Sequence, residues 1–192
     1  MKIVLGSSSP FRKQLLEKLQ LKFDCFSPDI DESHQVNESP SQLVQRLSLA
    51  KAKEVAKQYP DALIIGSDQV AVHHEKILGK PGTHENAVAQ LTAFSGEMVH
   101  FITGLCLYNP VTKQHQYHQD DTLVKFRDLK HSEINQYLQI EKPYQCAGSF
   151  KSEGLGIALF HSIESQDPNA LIGLPLIKLV QMLIKEGVNV LD

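Results

Sequence analysis

The residues 6–13, with the sequence GSSSPFRK, place three serines and two cations at the start of a predicted helix. Backbone N–H groups at a helix N-terminus bind anions, and hydroxyl and basic side chains add further contacts. The segment would therefore suit a phosphate chain. It does not match GxxxxGK[ST], so it is not a Walker A loop. A capped, serine-rich helix start that serves structure alone remains the alternative.

A second polar segment, GSDQ at residues 66–69, directly follows the apolar run at 63–65, and Lys80 lies a short predicted hairpin further on. An acid at the end of a buried strand can hold a divalent cation or take a proton from water. Asp68 could equally form a turn or a cap. Asp31 and Glu32 lie in a polar loop, where plain solvation is the alternative to a functional role.

Other titratable side chains give weaker signals. Lys51 lies inside a predicted helix, where an exposed lysine is the alternative to a functional one. The nine histidines show no metal-ligand spacing, and we assign them no catalytic role. His73 and His74 are neighbours on a predicted strand, so their side chains should point to opposite faces and not bind one ion. A GxSxG nucleophile elbow is absent.

Strands and helices that could position these residues are interleaved along the chain. Apolar runs predict strands near 3–5, 23–27, 63–65, 70–72, 99–107 and 117–126. Capping signals and helical periodicity predict helices from Pro10, at 40–57, from Thr83 to about 94, at 132–139 and at 175–185. The hairpin at Asn109 and Pro110 means that the sheet cannot be all parallel. A mixed α/β fold follows.

Length and composition place limits on function. The 192 residues fit one globular domain spanning 1–192, and the net charge of −3 gives no general attraction for nucleic acid or an anionic membrane. We expect no signal peptide and no membrane span, because no apolar run approaches about 20 residues. The three cysteines are far apart and form no CxxC pair, which favours a reducing cytoplasm.

A set of short motifs, taken in order, resembles the Maf family over nearly the whole chain. The motifs are LGSSSPFR (5–12), DE (31–32), KA (51–52), GSD (66–68), GKP (79–81), TG (103–104), AGSF (147–150) and IGLP (172–175). The resemblance implies an elongated, two-lobed α/β fold of the Maf/ITPase type, with an active-site cleft between the lobes and a homodimer. It also implies a hydrolase that cleaves a nucleoside triphosphate between its α- and β-phosphates with Mg²⁺, Mn²⁺ or Co²⁺.

By position, the resemblance implies roles for individual residues. Asp68 would be the proton acceptor that activates water, and Glu32 and Asp68 would hold the metal. Lys51 and Lys80 would support catalysis. Four residues would contact the phosphates: Ser8, Arg12, Lys51 and Lys80. These roles agree with phosphoryl transfer, which depends mainly on positioning and charge neutralisation.

Three further positions, Phe11, Gln69 and Glu153, resemble the YceF-type branch of the family, which is associated with 7-methyl-GTP. The cationic base would be attracted to the face of Phe11, and Glu153 could accept from the guanine N1–H and N2–H₂ groups. Gln69 could donate or accept. Phe11 also shares a helical face with Leu15, so packing in the core is the alternative.

Two other functions remain open at the level of sequence. A pyrimidine-type enzyme of the family would act on dTTP or UTP, and a nucleotide-binding regulator of cell division would show little turnover. In the favoured reading, the enzyme converts 7-methyl-GTP to 7-methyl-GMP and diphosphate, which would keep modified nucleotides out of nucleic acids.

Overall fold

The computed structural model describes residues 1–192 and contains seven strands and five α-helices. In chain order these are β1 Lys2–Gly6, α1 Pro10–Glu17, β2 Asp24–Cys25, α2 Pro40–Ala56, β3 Ala62–His73, β4 Lys76–Leu78, α3 His84–Phe94, β5 Met98–Asn109, β6 Gln114–Phe126, α4 His131–Glu141, β7 Phe160–Glu164 and α5 Leu176–Lys185. Short 3₁₀ helices span Ala147–Ser149 and Leu155–Leu159.

The strands form one mixed sheet in the order β2-β1-β3-β5-β6-β7, with β4 paired to β3. The β1 strand runs parallel to β2 and β3, whereas the β3–β4 and β6–β7 pairs are antiparallel. The predicted mixed α/β class is therefore confirmed.

The chain groups into two compact units. The first unit comprises residues 1–69, 103–120 and 167–192, and the second comprises residues 70–102 and 121–166. The boundaries fall within β3, β5 and β6, so each of these long strands contributes one part to each unit.

The first unit has apolar side chains on both faces of its sheet. Leu5, Ile65 and Leu105 pack in a cluster that includes residues of α1 and α5. Their neighbours Val4 and Ile64 lie in a second cluster with residues of α2. Because side chains alternate along a strand, a strand buried on both faces must be apolar at consecutive positions. The continuous apolar runs in the sequence have this cause.

The second unit is built around aromatic side chains. The rings of five phenylalanines contact one another with centroids 4.8–5.8 Å apart, mostly edge to face. Such pairs stabilise beyond the area they bury. The members are Phe94, Phe101, Phe126, Phe150 and Phe160.

Helix starts agree closely with the capping signals. Ser9 caps α1, and Pro10 is the first residue of that helix. Ser39 forms a capping box with Gln42 at the start of α2, and Thr83 caps α3. These caps satisfy N–H groups that the first helical turn leaves without partners. None of the five helices combines the length and apolar character needed to cross a bilayer.

The β3 strand differs from the prediction. We expected the buried strand to end before Asp68 and the chain to continue extended at 70–72, but β3 runs unbroken from Ala62 to His73, so Asp68 lies within a strand and not at its end. The polar side chains do not interrupt the strand because each has a partner inside the protein. The β2 strand is also shorter than the predicted 23–27.

Gly66 allows α2 to approach β3 closely. A Cβ atom at this position would lie 2.2 Å from the carbonyl oxygen of Ser48 and 3.0 Å from the Cβ of Ala52. Both neighbours belong to α2, the helix that carries Lys51. The glycine therefore sets the distance between the helix and the strand that carries Asp68.

We expect Gly66→Ala to lower the free energy of unfolding by about 1–3 kcal/mol, because the added methyl group overpacks the helix–strand contact. Urea denaturation measures the change. Gly79→Ala is the matched control, since nothing lies within 4 Å of a Cβ at Gly79. Equal stability of the two variants would contradict the proposed role of Gly66.

Candidate active site

Lys51 joins two carboxylates in the first unit. Its Nζ lies 2.6 Å from Asp68 Oδ1 and 2.8 Å from Glu32 Oε1. The α2 helix supplies the lysine, β3 supplies Asp68, and the loop before α2 supplies Glu32. The side chains of Lys51 and Asp68 are about nine-tenths buried, while Glu32 is 55% exposed. One ammonium group thus holds two acids that the sequence separates by more than thirty residues.

The burial of Lys51 excludes the alternative of an ordinary surface lysine. A buried ammonium needs opposite charge and hydrogen-bond acceptors, and Asp68 and Glu32 provide both. The cluster also opens to solvent through Glu32. A charged cluster that reaches solvent in this way can meet a polar substrate.

Arg12 lies close to the same cluster. Asp68 and Glu32 each raise the pKa of Arg12 electrostatically, although burial has the larger effect and lowers the pKa below its ordinary value. The guanidinium is still charged at neutral pH. Its Nε donates to the carbonyl oxygen of Gly173 over 2.9 Å, which fixes the side chain from one side.

The same carbonyl of Gly173 also accepts from Ser67 Oγ over 2.9 Å. Ser67 precedes Asp68 on β3 and is fully buried. The Gly173 oxygen therefore links Arg12 to the strand that carries Asp68. Gly173 has a φ of +120°, a conformation that L side chains rarely adopt.

The three serines of the first segment have different positions. Ser7 is buried, and its Oγ accepts from the backbone N–H of Ser9 over 3.1 Å. Ser9 caps α1 by accepting from Arg12 N. Ser8 is exposed between them. Ser7 and Ser9 thus organise the helix start, and Ser8 presents its hydroxyl at the surface.

Gln69 is held by its side-chain amide. Its Nε2 lies 2.8 Å from Thr103 Oγ1, 3.0 Å from Ala170 O and 3.1 Å from Leu171 O. Both N–H groups are therefore used within the first unit. The sequence left open whether Gln69 donates or accepts, and this arrangement leaves the carbonyl oxygen as the group for a ligand.

The remaining predicted residues, Phe11, Lys80 and Glu153, are at least partly exposed. Lys80 and Glu153 are exposed and belong to the second unit. Phe11 belongs to the first unit and is partly exposed, whereas Leu15 and Leu16 on the same helix are buried. The ring of Phe11 is thus not enclosed in the apolar core.

The donor set around Lys51 fits a hard divalent cation. Glu32 and Asp68 both contact the Lys51 ammonium nitrogen, at 2.8 and 2.6 Å, so their carboxylate oxygens lie near each other. Magnesium in proteins is commonly held by one or two carboxylates together with water and substrate phosphates. Glu32, being half exposed, could turn toward such an ion.

Several positioning residues had no role predicted from sequence. Thr103 is fully buried, and its Oγ1 donates to Ala170 O over 3.1 Å while it accepts from Gln69. Gly173 O accepts from Arg12, and Ser67 donates to the same oxygen, so both residues help to position Arg12. The TG and IGLP motifs marked Thr103 and Gly173, but short motifs give no contact partners.

The prediction that the side chains of His73 and His74 point to opposite faces was wrong. Their ring centroids lie 4.0 Å apart, and an atom of each can lie within 4.8 Å of the Glu97 carboxylate. The alternation rule fails because His74 leaves the strand with a φ of +47°. The β3 strand ends at His73.

The fold has a known counterpart. The structure of the Staphylococcus aureus Ham1 protein superposes with a TM-score of 0.57 at 12% sequence identity, covering 98% of this chain and 100% of that one. At this identity the likeness shows the fold alone.

Sequence comparison gives the family. The family model described as "Maf-like protein" matches residues 2–186, and the chain belongs to the Maf family. A protein of Colwellia psychrerythraea named 7-methyl-GTP pyrophosphatase is 57% identical, with 98% of this chain and 94% of the relative covered. A protein of the same name from Pseudomonas savastanoi pv. phaseolicola is 56% identical, with 98% of each covered.

Proposed function

We propose that the protein is a nucleotide pyrophosphatase that hydrolyses 7-methyl-GTP to 7-methyl-GMP and diphosphate. The observation that carries the proposal is the buried Lys51 ammonium between Asp68 and Glu32, with the Arg12 guanidinium close by. These groups provide Asp68 as a base, Glu32 as a second carboxylate that could bind a metal ion, and the two cations Lys51 and Arg12. The substrate follows from the name shared by relatives that match this chain over nearly its full length.

In the proposed reaction, Asp68 takes a proton from a water molecule whose oxygen attacks the α-phosphorus. The new bond joins that oxygen to phosphorus, and the bond to the oxygen bridging the α- and β-phosphates breaks. Diphosphate leaves with the electron pair. Arg12, Lys51 and Lys80 would bind the phosphates and balance their charge, and Ser8 would donate a hydrogen bond to them.

Glu32 and Asp68 would hold a divalent cation, Mg²⁺, Mn²⁺ or Co²⁺, which when bound neutralises phosphate charge. Lys51 keeps both carboxylates near their working positions before substrate arrives. Preorganised charge of this kind lowers the barrier because little rearrangement is left for the reaction itself.

Base recognition is assigned to Phe11, Gln69 and Glu153. The partly exposed ring of Phe11 could stack on a cationic 7-methylguanine, and such contacts contribute roughly 0.5–2 kcal/mol. The free carbonyl of Gln69 and the carboxylate of Glu153 are both acceptors. Guanine offers N–H donors at N1 and N2, so two acceptors favour it over uracil or thymine.

The proposal has further parts. We infer that residues 1–192 act as one pyrophosphatase domain, that the protein works as a cytoplasmic homodimer, and that it keeps modified nucleotides out of nucleic acids. The family model supports the first part, because its match at 2–186 includes residues of both units.

A panel of nucleotides tests the substrate. Purified protein is incubated with 7-methyl-GTP, GTP, dTTP or UTP and with Mg²⁺, Mn²⁺ or Co²⁺ in turn, and diphosphate release is measured. We expect the highest kcat/KM for 7-methyl-GTP. A preference for dTTP or UTP would identify a pyrimidine-type enzyme. Binding without hydrolysis under every metal would favour a regulatory protein and overturn the proposal.

The same panel tests base recognition with the triple variant Phe11→Arg, Gln69→Thr, Glu153→Gln. We expect the ratio of kcat/KM for 7-methyl-GTP over dTTP to fall at least about 10-fold, the effect of roughly 1.4 kcal/mol in discrimination. The single variant Lys13→Gln, at an exposed residue of the same helix, is the control. An unchanged ratio in the triple variant would remove these residues from substrate selection.

A further inference from the structure

A second group of possible ligands lies in the second unit, at the hairpin between β3 and β4. His73 pairs with Lys76 across the hairpin, so His74 and Glu75 form its two-residue loop. Both loop residues have positive φ, +47° and +64°, where glycine or asparagine is usual. This turn brings the His74 ring back beside that of His73, with centroids 4.0 Å apart and planes tilted by 47°.

Glu97 completes the group. One ligand atom from each of His73, His74 and Glu97 can be chosen so that all lie within 4.8 Å of one another. The backbone of Glu97 is fixed on both sides, because its N–H donates to Phe94 O and its carbonyl accepts from Phe126 N, each over 2.9 Å. The backbone of Glu97 is therefore held in place beside the imidazoles, while its exposed side chain can still turn.

A buried ring nitrogen points to a missing ligand. Nε2 of His73 is buried and has no hydrogen-bond partner. The ring lies edge to face with Phe94, at a centroid distance of 5.3 Å, and an aromatic ring cannot replace a polar partner. Buried polar groups without a partner are rare and costly, so such a nitrogen calls for an explanation.

The surroundings of His73 act on its protonation. Burial and the neighbouring His74 lower the pKa of His73 below its ordinary value, although Glu97 acts in the opposite direction. Neutral imidazole is the form that coordinates a metal, so the effect of burial at His73 favours a ligand role.

We propose that His73, His74 and Glu97 bind one Zn²⁺ ion through two imidazole nitrogens and one carboxylate oxygen. Two histidines, one glutamate and a water molecule form an established zinc ligand set. Imidazole nitrogen favours zinc over Mg²⁺, which prefers oxygen ligands only. This site is separate from the all-carboxylate pair at Lys51 in both ligand chemistry and sequence.

Binding requires the ligand atoms to move closer together. With Zn–N and Zn–O bonds of about 2.0–2.2 Å, two ligands of one tetrahedral ion lie roughly 3.3–3.6 Å apart. The ligand atoms now span up to 4.8 Å, and the side chains of His74 and Glu97 are exposed and can turn inward. The ion would tie the β3–β4 hairpin to the segment just before β5. We therefore expect zinc to stabilise the second unit.

Zinc binding to the full-length protein tests the proposal. Titration calorimetry with ZnCl₂ is carried out in excess Mg²⁺, so that oxygen-ligand sites are already filled, and the visible spectrum of a Co²⁺-substituted sample reports coordination. We expect one Zn²⁺ per chain in the wild type and in His161→Ala, a control at an exposed histidine of the same unit. His74→Ala should weaken binding at least about 10-fold, and Glu97→Gln should do likewise.

Thermal unfolding gives a second measurement. Zn²⁺ should raise the Tm of the wild type and of His161→Ala but not of His74→Ala, because a ligand stabilises only the state that binds it. Equal zinc affinity in His74→Ala and the wild type would overturn the site. Asp68→Asn should keep full zinc binding, so failure of the proposed pyrophosphatase activity and failure of the zinc site give different results.

Discussion

Replacing Asp68 with asparagine is expected to lower kcat for 7-methyl-GTP hydrolysis by about 10²- to 10⁴-fold, the usual contribution of a general base. Asparagine keeps the shape of the side chain but cannot take a proton from water. The change should affect kcat more than KM, because the phosphates are bound mainly by cations. Initial rates of diphosphate release at saturating substrate measure the effect.

Two controls separate chemistry from folding. Asp167→Asn removes a carboxylate from another buried position of the first unit, so it reports the general effect of such a change. Circular dichroism and urea denaturation show whether Asp68→Asn still folds, although the loss of the 2.6 Å ion pair with Lys51 should cost some stability. If folded Asp68→Asn retains kcat within a few-fold of the wild type, Asp68 is not the base.

The sequence predicted where helices start better than it predicted the continuity of the long strand β3. Caps at Ser9, Ser39 and Thr83 are local signals, since the capping group and the N–H it satisfies lie within three residues of each other. The start of each of these helices was therefore predictable. The continuity of β3 was not, because it depends on partners for Ser67 and Gln69 that are about a hundred residues away.

The same contrast between local signals and long-range contacts applies to the charged cluster of Glu32, Lys51 and Asp68. Residue types and motif order pointed to Glu32, Lys51 and Asp68, but the sequence could not decide between an exposed lysine and a functional one. Burial of Lys51 depends on how closely α2 approaches β3, and that distance is set by a missing side chain at Gly66. Close packing of this kind depends on tertiary structure, so it cannot be predicted from local propensity.

The prediction that the His73 and His74 side chains point to opposite faces was wrong for a related reason. Alternation along a strand holds only while the strand continues, and His74 is the first residue of a turn. His-Glu at a hairpin loop carries none of the usual glycine or asparagine signals, so the end of the strand at His73 was not expected. Because the strand ends at His73, the two rings lie side by side and not on opposite faces.

Replacing Lys51 with methionine is expected to lower kcat/KM by about 10²- to 10³-fold. This is the usual effect of removing one preorganised group that stabilises charge in the transition state. Methionine keeps the length and apolar stem of the side chain but leaves Asp68 and Glu32 without their shared ammonium. The free energy of unfolding should fall by about 1–3 kcal/mol, less than for a fully buried pair, because solvent screens Glu32. Lys53→Met, on an exposed part of α2, is the control for a lost surface lysine.

The double variant Lys51→Met, Asp68→Asn distinguishes two roles for the lysine. If Lys51 only binds phosphate, the two losses in kcat/KM multiply, because independent effects add in free energy. If Lys51 also holds Asp68 in place, the second change costs much less once the first has been made. The 2.6 Å contact favours the second outcome, and we expect the double variant to exceed the product of the single effects by at least about 10-fold in retained activity. Strict multiplication would mean that Lys51 acts on the substrate independently of Asp68.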